Sequence, residues 1–266
     1  MVILKTAFRN WNNFLLKSNF VRRLIFAQHK LLPMPLGVFD VIFRSGLLRR
    51  LFNFYGSHVA NFSYLRRGGD QLKFWLSKES LYWHFWRQTD TNDEIFKEIF
   101  SIEPIKNIFS NGGGLTAVEL GFGIGKNYDK FLRQKKFTKY IAVEPNQYLC
   151  HYVAKKFRSD KNLEVVNLSV GDFLRQNNRF DVLFCSGGVF MYLDQGVVDE
   201  LFKRIGRAGV RAVIIFNEGT PRNDIIRDDG TAMFNFKNRL IAAGCGNKLF
   251  IEKEKEGGIY SYFIMC

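Results

Sequence analysis

From Thr116 to Asn127 the chain reads Thr-Ala-Val-Glu-Leu-Gly-Phe-Gly-Ile-Gly-Lys-Asn. Gly121, Gly123 and Gly125 recur at alternate positions, and glycine lets a backbone turn tightly and come close to a ligand. Before them Ala117, Val118 and Leu120 predict a short buried strand. After them Tyr128, Phe131 and Leu132 recur at helical spacing. A helix beginning there presents unpaired N–H groups in its first turn. Strand, glycine turn and helix together have the form of a nucleotide cradle, although a glycine pattern by itself is a weak signal. The spacing separates cofactor classes. A dinucleotide fingerprint, G-x-G-x-x-G, packs its third glycine between helix and strand beside a pyrophosphate. Here the third glycine comes one residue early and Lys126 stands in its place.

With Glu119 two residues before the first glycine, the form E-x-G-x-G-x-G resembles motif I of the class I S-adenosylmethionine (SAM) methyltransferases, whose cofactor has no phosphates. The resemblance covers about Leu115 to Cys266. It implies SAM as cofactor and a seven-stranded, mostly parallel Rossmann-like sheet. In open sheets of this kind ligands bind at the carboxyl ends of the strands. Glu144, nineteen residues after Gly125, is expected there to accept hydrogen bonds from the vicinal ribose hydroxyls, since a carboxylate has two acceptor oxygens. Asp172 matches the family's acid for the adenine amino group, with the Phe173 backbone N–H on a ring nitrogen. Glu119 is expected to orient the turn and help receive the methionine ammonium. Gly121, Gly123 and Gly125 would give close backbone approach, and Ser186 would flank the methionine end beside Gly187. The Gly-x-Gly-Lys-Asn turn followed by Glu144-Pro145-Asn146 looks like the broad methyltransferase type 11/12 branch, which includes quinone and thiol methyltransferases. Gly206-Arg207-Ala208-Gly209 replaces the usual Pro-Gly-Gly turn, so the subfamily stays open.

Alternating strand and helix patterns must carry these residues. Tyr140–Val143, Leu163–Leu168, Phe180–Cys185 and Arg211–Phe216 read as further strands. Leu149, Tyr152, Val153 and Phe157 stripe one helix; Val197, Val198, Leu201, Phe202 and Ile205 stripe another. A short helix around Phe234–Ala243 precedes Lys248–Glu252 and Ile259–Met265, which resemble the family's closing hairpin. The expected organisation is a basic, aromatic-rich helical region over 1–110 and a SAM-binding domain over 111–266, with the loop Asn111–Gly114 between them.

The chain has 266 residues, 47% of them hydrophobic, and a formal charge of +14. Nine bases and one acid fall in the first fifty residues, which is +8 of that total. Leu4, Phe8, Trp11 and Leu15, then Val21, Leu24 and Ile25, form an apolar stripe among those bases, the pattern of an interfacial amphipathic helix. Pro33 and Pro35 end it. Residues 1–54 are thus read as meeting an anionic membrane surface, or equally as a helical appendage folded on protein; a nucleic acid is the less favoured partner and a transit peptide a third alternative. Four scattered cysteines suggest free thiols in a reducing compartment. With no apolar run of about 20 residues and no signal-peptide block, the expectation is a cytoplasmic protein, peripheral at a membrane.

Methyl transfer from a sulfonium is an in-line displacement that needs positioning, and a base only if the nucleophile must lose a proton. Cys185-Ser186-Gly187-Gly188-Val189-Phe190 lacks the Asn/Asp-Pro-Pro-aromatic signature of amino-group nucleic-acid enzymes, and a Pro-Cys nucleophile is absent. Ser186 and Asn217-Glu218 disfavour the magnesium site of catechol-type enzymes, so a metal-independent reaction is expected. Tyr192, Glu218, Arg222 and His84 are the candidates for acceptor binding or base catalysis. Tyr192 and Glu218 are favoured by position after strands four and five and would serve equally as structural residues, while His84 is more readily a satisfied surface histidine. Tyr82, Trp86 and Arg87 join His84 as possible lining of the substrate mouth. A small-molecule acceptor, lipid, lipid-linked sugar or quinone-like, is favoured. RNA methylation and a non-catalytic partner of the same fold are the alternatives.

Overall fold

The computed structural model describes Trp75, Leu76, Ser80, His84 and residues 91–110, 114–135, 137–176, 179–186, 188–207, 209–216, 223–226, 231–245, 249–255 and 258–264. The amphipathic segment, Gly187, Glu218 and Arg222 lie outside the described residues. Two compact units divide the chain: Met1–Phe74 with Tyr82–Gln88, and Trp75–Leu81 with Thr89–Cys266. The second unit therefore takes in the helices α1 (Thr91–Ser101) and α2 (Glu103–Ser110) as well as the sheet.

Five strands run parallel: β1 (Thr116–Leu120), β2 (Lys139–Val143), β3 (Leu163–Val166), β4 (Val182–Ser186) and β5 (Ala212–Phe216). A small antiparallel pair follows, β6 (Ile225–Ile226) and β7 (Ala232–Met233). The closing hairpin, β8 (Leu249–Lys255) and β9 (Gly258–Ile264), adds β9 antiparallel to β5. Sheet order is β3-β2-β1-β4-β5-β9-β8, so the parallel part has five strands and the hairpin completes seven. The chain grows outward from β1 through β2 to β3, then returns to place β4 on β1's other side. Between β1 and β4 the winding reverses, and a crevice opens at such a switch point beyond the strand ends.

The central strands are near-continuous apolar runs because both sheet faces are covered. One face carries Val118, Leu120, Ile141, Val143, Leu183, Cys185, Val213 and Ile215. These bury against α4 (Val170–Arg175), α5 (Gln195–Arg207) and α6 (Phe236–Leu240). The stripe Val198, Leu201, Phe202 and Ile205 of α5 is buried as its spacing predicts. The opposite face is aromatic. Tyr140 stacks on Phe184 at 6.3 Å and meets Tyr128 at 4.6 Å, while Phe137 crosses Tyr140 at 5.4 Å. Glu119 alternates onto this aromatic face, since neighbouring strand residues point to opposite sides.

Several boundaries differ from the sequence reading, three of them among the elements from β1 to β4 by two residues or in helix type. The helix after the glycine turn is a widened turn, Tyr128–Leu132, closed by Arg133 N–H donating to the Tyr128 carbonyl, then a tight turn at Arg133–Lys135. β4 begins at Val182, two residues later than expected. β3 stops at Val166, two residues early. There Asn167 Nδ2 donates to the carbonyls of Glu144 (3.0 Å) and Pro145 (2.9 Å), drawing the chain from the ladder towards the end of β2.

Candidate functional site

Gly121, Gly123 and Gly125 all have positive φ, at 68°, 58° and 72°. Residues with a Cβ adopt that conformation at a cost. Space also excludes side chains: a Cβ on Gly121 would lie 2.1 Å from Val189 Cγ2, and one on Gly125 2.7 Å from both Phe122 and Phe157. The turn is therefore wedged between the end of β4 and the aromatic face. Its first two amides, Gly121 N–H and Phe122 N–H, both donate to the Val143 carbonyl. Its third, Gly123 N–H, donates to Glu144 Oε2 at 3.0 Å.

Glu144 stands at the end of β2, 7% exposed. Its other oxygen, Oε1, accepts the Asn146 backbone N–H at 3.0 Å. Burial raises the carboxyl above its ordinary value, and the two amides pull it back down. Each carboxylate oxygen has a second lone pair. Glu144 thus staples the turn to β2 and keeps acceptor capacity beside it.

Glu119 lies beneath the same turn, 2% exposed. Asn127 Nδ2 donates to Oε1 at 3.0 Å and Tyr140 OH to Oε2 at 2.7 Å. Burial is the largest influence and lifts the carboxyl to about 7, against the lowering by Asn127 and Tyr140, with Glu144 adding repulsion. Buried charge is costly unless paired, and here two neutral donors carry it. Glu119 reaches the turn through Asn127, at the start of the helical segment.

The third acid differs. Asp172 was expected at the adenine edge with the Phe173 amide beside it. It lies in the first turn of α4, its side chain 45% exposed. Ser169 Oγ donates to Asp172 Oδ2 at 2.6 Å and accepts the Asp172 N–H at 3.1 Å, and Arg175 donates to Oδ1. Ser169 first, then Arg175, holds the carboxyl below its usual range. The Phe173 N–H is spent within the helix on the Ser169 carbonyl at 2.9 Å. Ser169 is the N-cap that starts this helix. Asn167, Leu168 and Ser169 are the residues that follow β3.

Ser186 ends β4, half-buried. Beyond it Tyr192 closes the short turn Phe190–Tyr192, and its ring lies 6.3 Å from that of Trp75, tilted 56°. His84 belongs to the other unit. Burial pushes its imidazole down to about 4, so it is neutral and weakly basic at pH 7. Sequence reasoning missed Asn146. This fully buried residue caps α3 (Gln147–Lys156), its Oδ1 accepting from Tyr148 N–H and Leu149 N–H. Its Nδ2 donates to the Trp75 carbonyl at 2.6 Å and Ser80 Oγ at 2.7 Å. The cap was readable, since an asparagine immediately precedes the apolar periodicity; the long-range half was not.

Residues 117–209 match the model of a family described as a methyltransferase domain. No curated protein matches the chain. Among solved structures, one similar fold is a SAM-dependent methyltransferase from Leishmania major, 16% identical with a TM-score of 0.51, over 76% of this chain and 88% of that one. Another is a SAM-dependent methyltransferase from Clostridium acetobutylicum, 14% identical with a TM-score of 0.48, over 71% and 99%. Residues 117–209, which take in most of β1 and all of α5, thus match a methyltransferase-domain model, and the fold is similar to that of a SAM-dependent methyltransferase.

Proposed function

We propose that this SAM-dependent methyltransferase passes a methyl group to a small-molecule acceptor, with a lipid, lipid-linked sugar or quinone-like molecule as the favoured class. One observation carries the cofactor half: Glu144, buried and already bonded to Gly123 N–H, stands against three positive-φ glycines at the winding reversal. A diol donor fits such a carboxylate, and a side-chain-free turn fits close contact with a cofactor lacking phosphates. When bound, SAM supplies a methyl group on a cationic sulfur that is already activated for displacement.

The protein's own part is positioning and exclusion of water. Glu144 orients through its remaining acceptor capacity. Glu119 holds the turn through Asn127, and Ser186 at the end of β4 is the proposed neighbour of the methionine portion. Tyr192, beside Trp75, is the described candidate for contact with the acceptor, and its hydroxyl is a donor and acceptor that suits orienting a nucleophile. The acceptor class rests on residues 1–54, where bases flank an apolar stripe, as in segments that lie on anionic lipid. Among the described residues no helix is long and apolar enough to cross a membrane. A peripheral association is the proposal.

The test incubates the whole protein with methyl-labelled SAM and a cell extract, then separates organic-phase lipids, water-soluble small molecules and RNA. Label in the organic or small-molecule fraction is expected. Label confined to RNA, with binding that weakens steeply as salt rises, would replace the proposal with RNA methylation. SAM binding without label in any fraction would favour a non-catalytic role.

A further inference from the structure

Resting on the cofactor reading above, we propose that Asn146 is a positioning residue, a clasp that couples the ribose-binding acid to the Trp75–Leu81 segment. That segment is set apart by the chain's own layout. It belongs to the unit containing the sheet, while the sequence on both sides, through Phe74 and from Tyr82, belongs to the other unit. Bonds must hold its described residues, Trp75, Leu76 and Ser80, to that unit. Asn146 supplies two of the bonds that do so.

The carboxamide of Asn146 is used completely. Both Nδ2 hydrogens go to the segment, one to the Trp75 carbonyl and one to Ser80 Oγ. Both Oδ1 lone pairs go to the first amides of α3, from Tyr148 and Leu149. Its backbone N–H goes to Glu144 Oε1. Only a planar group with two donors and two acceptors can do this, and a buried group of that kind has one orientation that satisfies it. Glu144, α3 and the Trp75–Leu81 segment are thereby fixed to one residue.

The consequence runs in both directions. Trp75 brings its ring to Tyr192 in the turn Phe190–Tyr192 beyond β4, so the clasp fixes an aromatic pair on the proposed acceptor side. Ligand hydroxyls that bond Glu144 hold its carboxylate, which holds the Asn146 amide, which orients the carboxamide gripping the segment. Binding at the cofactor side is therefore linked to order at Trp75, and linkage makes the effect reciprocal. Asn146 touches no reacting atom in this account.

The experiment uses the full chain and the Asn146→Ser and Asn146→Asp variants. Serine and aspartate both retain an N-cap acceptor for α3, but neither can donate two N–H bonds to the segment. Hydrogen exchange followed by peptide mass analysis reads residues 75–80 and 147–156 separately, with and without SAM. In the wild type, SAM is expected to slow exchange at 75–80. In Asn146→Ser, exchange at 75–80 without ligand should accelerate by roughly tenfold, as for the loss of two net hydrogen bonds, while 147–156 stays protected. SAM affinity should fall several-fold, and Ser80→Ala should give a smaller change of the same pattern. Unchanged exchange at 75–80 in both Asn146 variants would overturn the clasp, and loosened exchange with unchanged SAM affinity would overturn the coupling. The tenfold acceleration in Asn146→Ser together with a wild type that binds no SAM would sink the cofactor reading and the coupling while leaving the clasp.

Discussion

One acid stands at the end of β2 and another in the helix that follows β3, and the two are held in opposite ways. Glu144 is buried, raised by desolvation, and bonded to two backbone amides that belong to the glycine turn and the start of α3. Asp172 is exposed, lowered, and bonded to its own helix through Ser169 and Arg175. A side chain whose partners come from distant segments transmits position between them. One whose partners lie three residues away in sequence stabilises only its own turn. The difference teaches that an acid after a strand has no fixed job. Its partners assign the job, and at β2 those partners are the turn itself.

The largest expected effect breaks the β2 side at its backbone. Gly121→Ala must place a methyl in positive-φ backbone and against Val189 Cγ2. Each is costly, and together they should destabilise the protein by about 3 kcal/mol. Adding Val189→Ala should restore part of that loss, leaving the backbone portion. Urea midpoints of the three variants measure it, and a double variant no better than the single would mean that packing at β4 is not what the glycine serves.

Next comes Glu119. Its carboxyl is raised from 4.5 to about 7 in the fold, so the folded state binds more protons than the unfolded chain between those values. Stability from this group is therefore full below about 4.5 and declines as pH rises through about 7, by a few kcal/mol at most. Glu119→Gln should flatten that slope between pH 5 and 7.5 in chemical denaturation. A variant with the wild-type slope would place the titration elsewhere.

The β3 side should answer more mildly. Ser169→Ala removes the cap of α4 and should cost about 1 kcal/mol of stability, read as a shift in urea midpoint without a change of slope. A cost well above that would show the cap doing more than starting a helix. Asp172→Asn is the smallest. An exposed ion pair contributes little, so SAM affinity should change by no more than about twofold. A loss beyond tenfold would place Asp172 in contact with the cofactor and erase the contrast.

Much of this was legible. The glycine turn, the five parallel strands, the α5 stripe and Glu144 at its strand end follow from local patterns: residue type, period 2 or 3.6, and distance along the chain. The misjudged β3 end depended on competition between Asn167, which bends towards Glu144, and continued pairing; sequence alone does not rank those. The bonds of Ser169 to Asp172 and to the Phe173 amide were not read from the sequence, because no helix start was placed there. Tyr140 and Asn127 read as a strand aromatic and a helix start. Their meeting on Glu119 required the register that sets Glu119 against Ala142 and brings the aromatic face together. Asn146 was half legible, its cap local and its grip on Trp75 spanning 71 residues.

The most direct test of the account is calorimetric titration of SAM into the wild type, Glu144→Ala and Asp172→Asn, with NADH as the control ligand. The account predicts SAM binding by the wild type, retained in Asp172→Asn, and weakened at least about a hundredfold in Glu144→Ala, as for lost hydrogen bonds to a charged acceptor. NADH should not bind. Equal SAM affinity in the wild type and Glu144→Ala, with both folded, would contradict it.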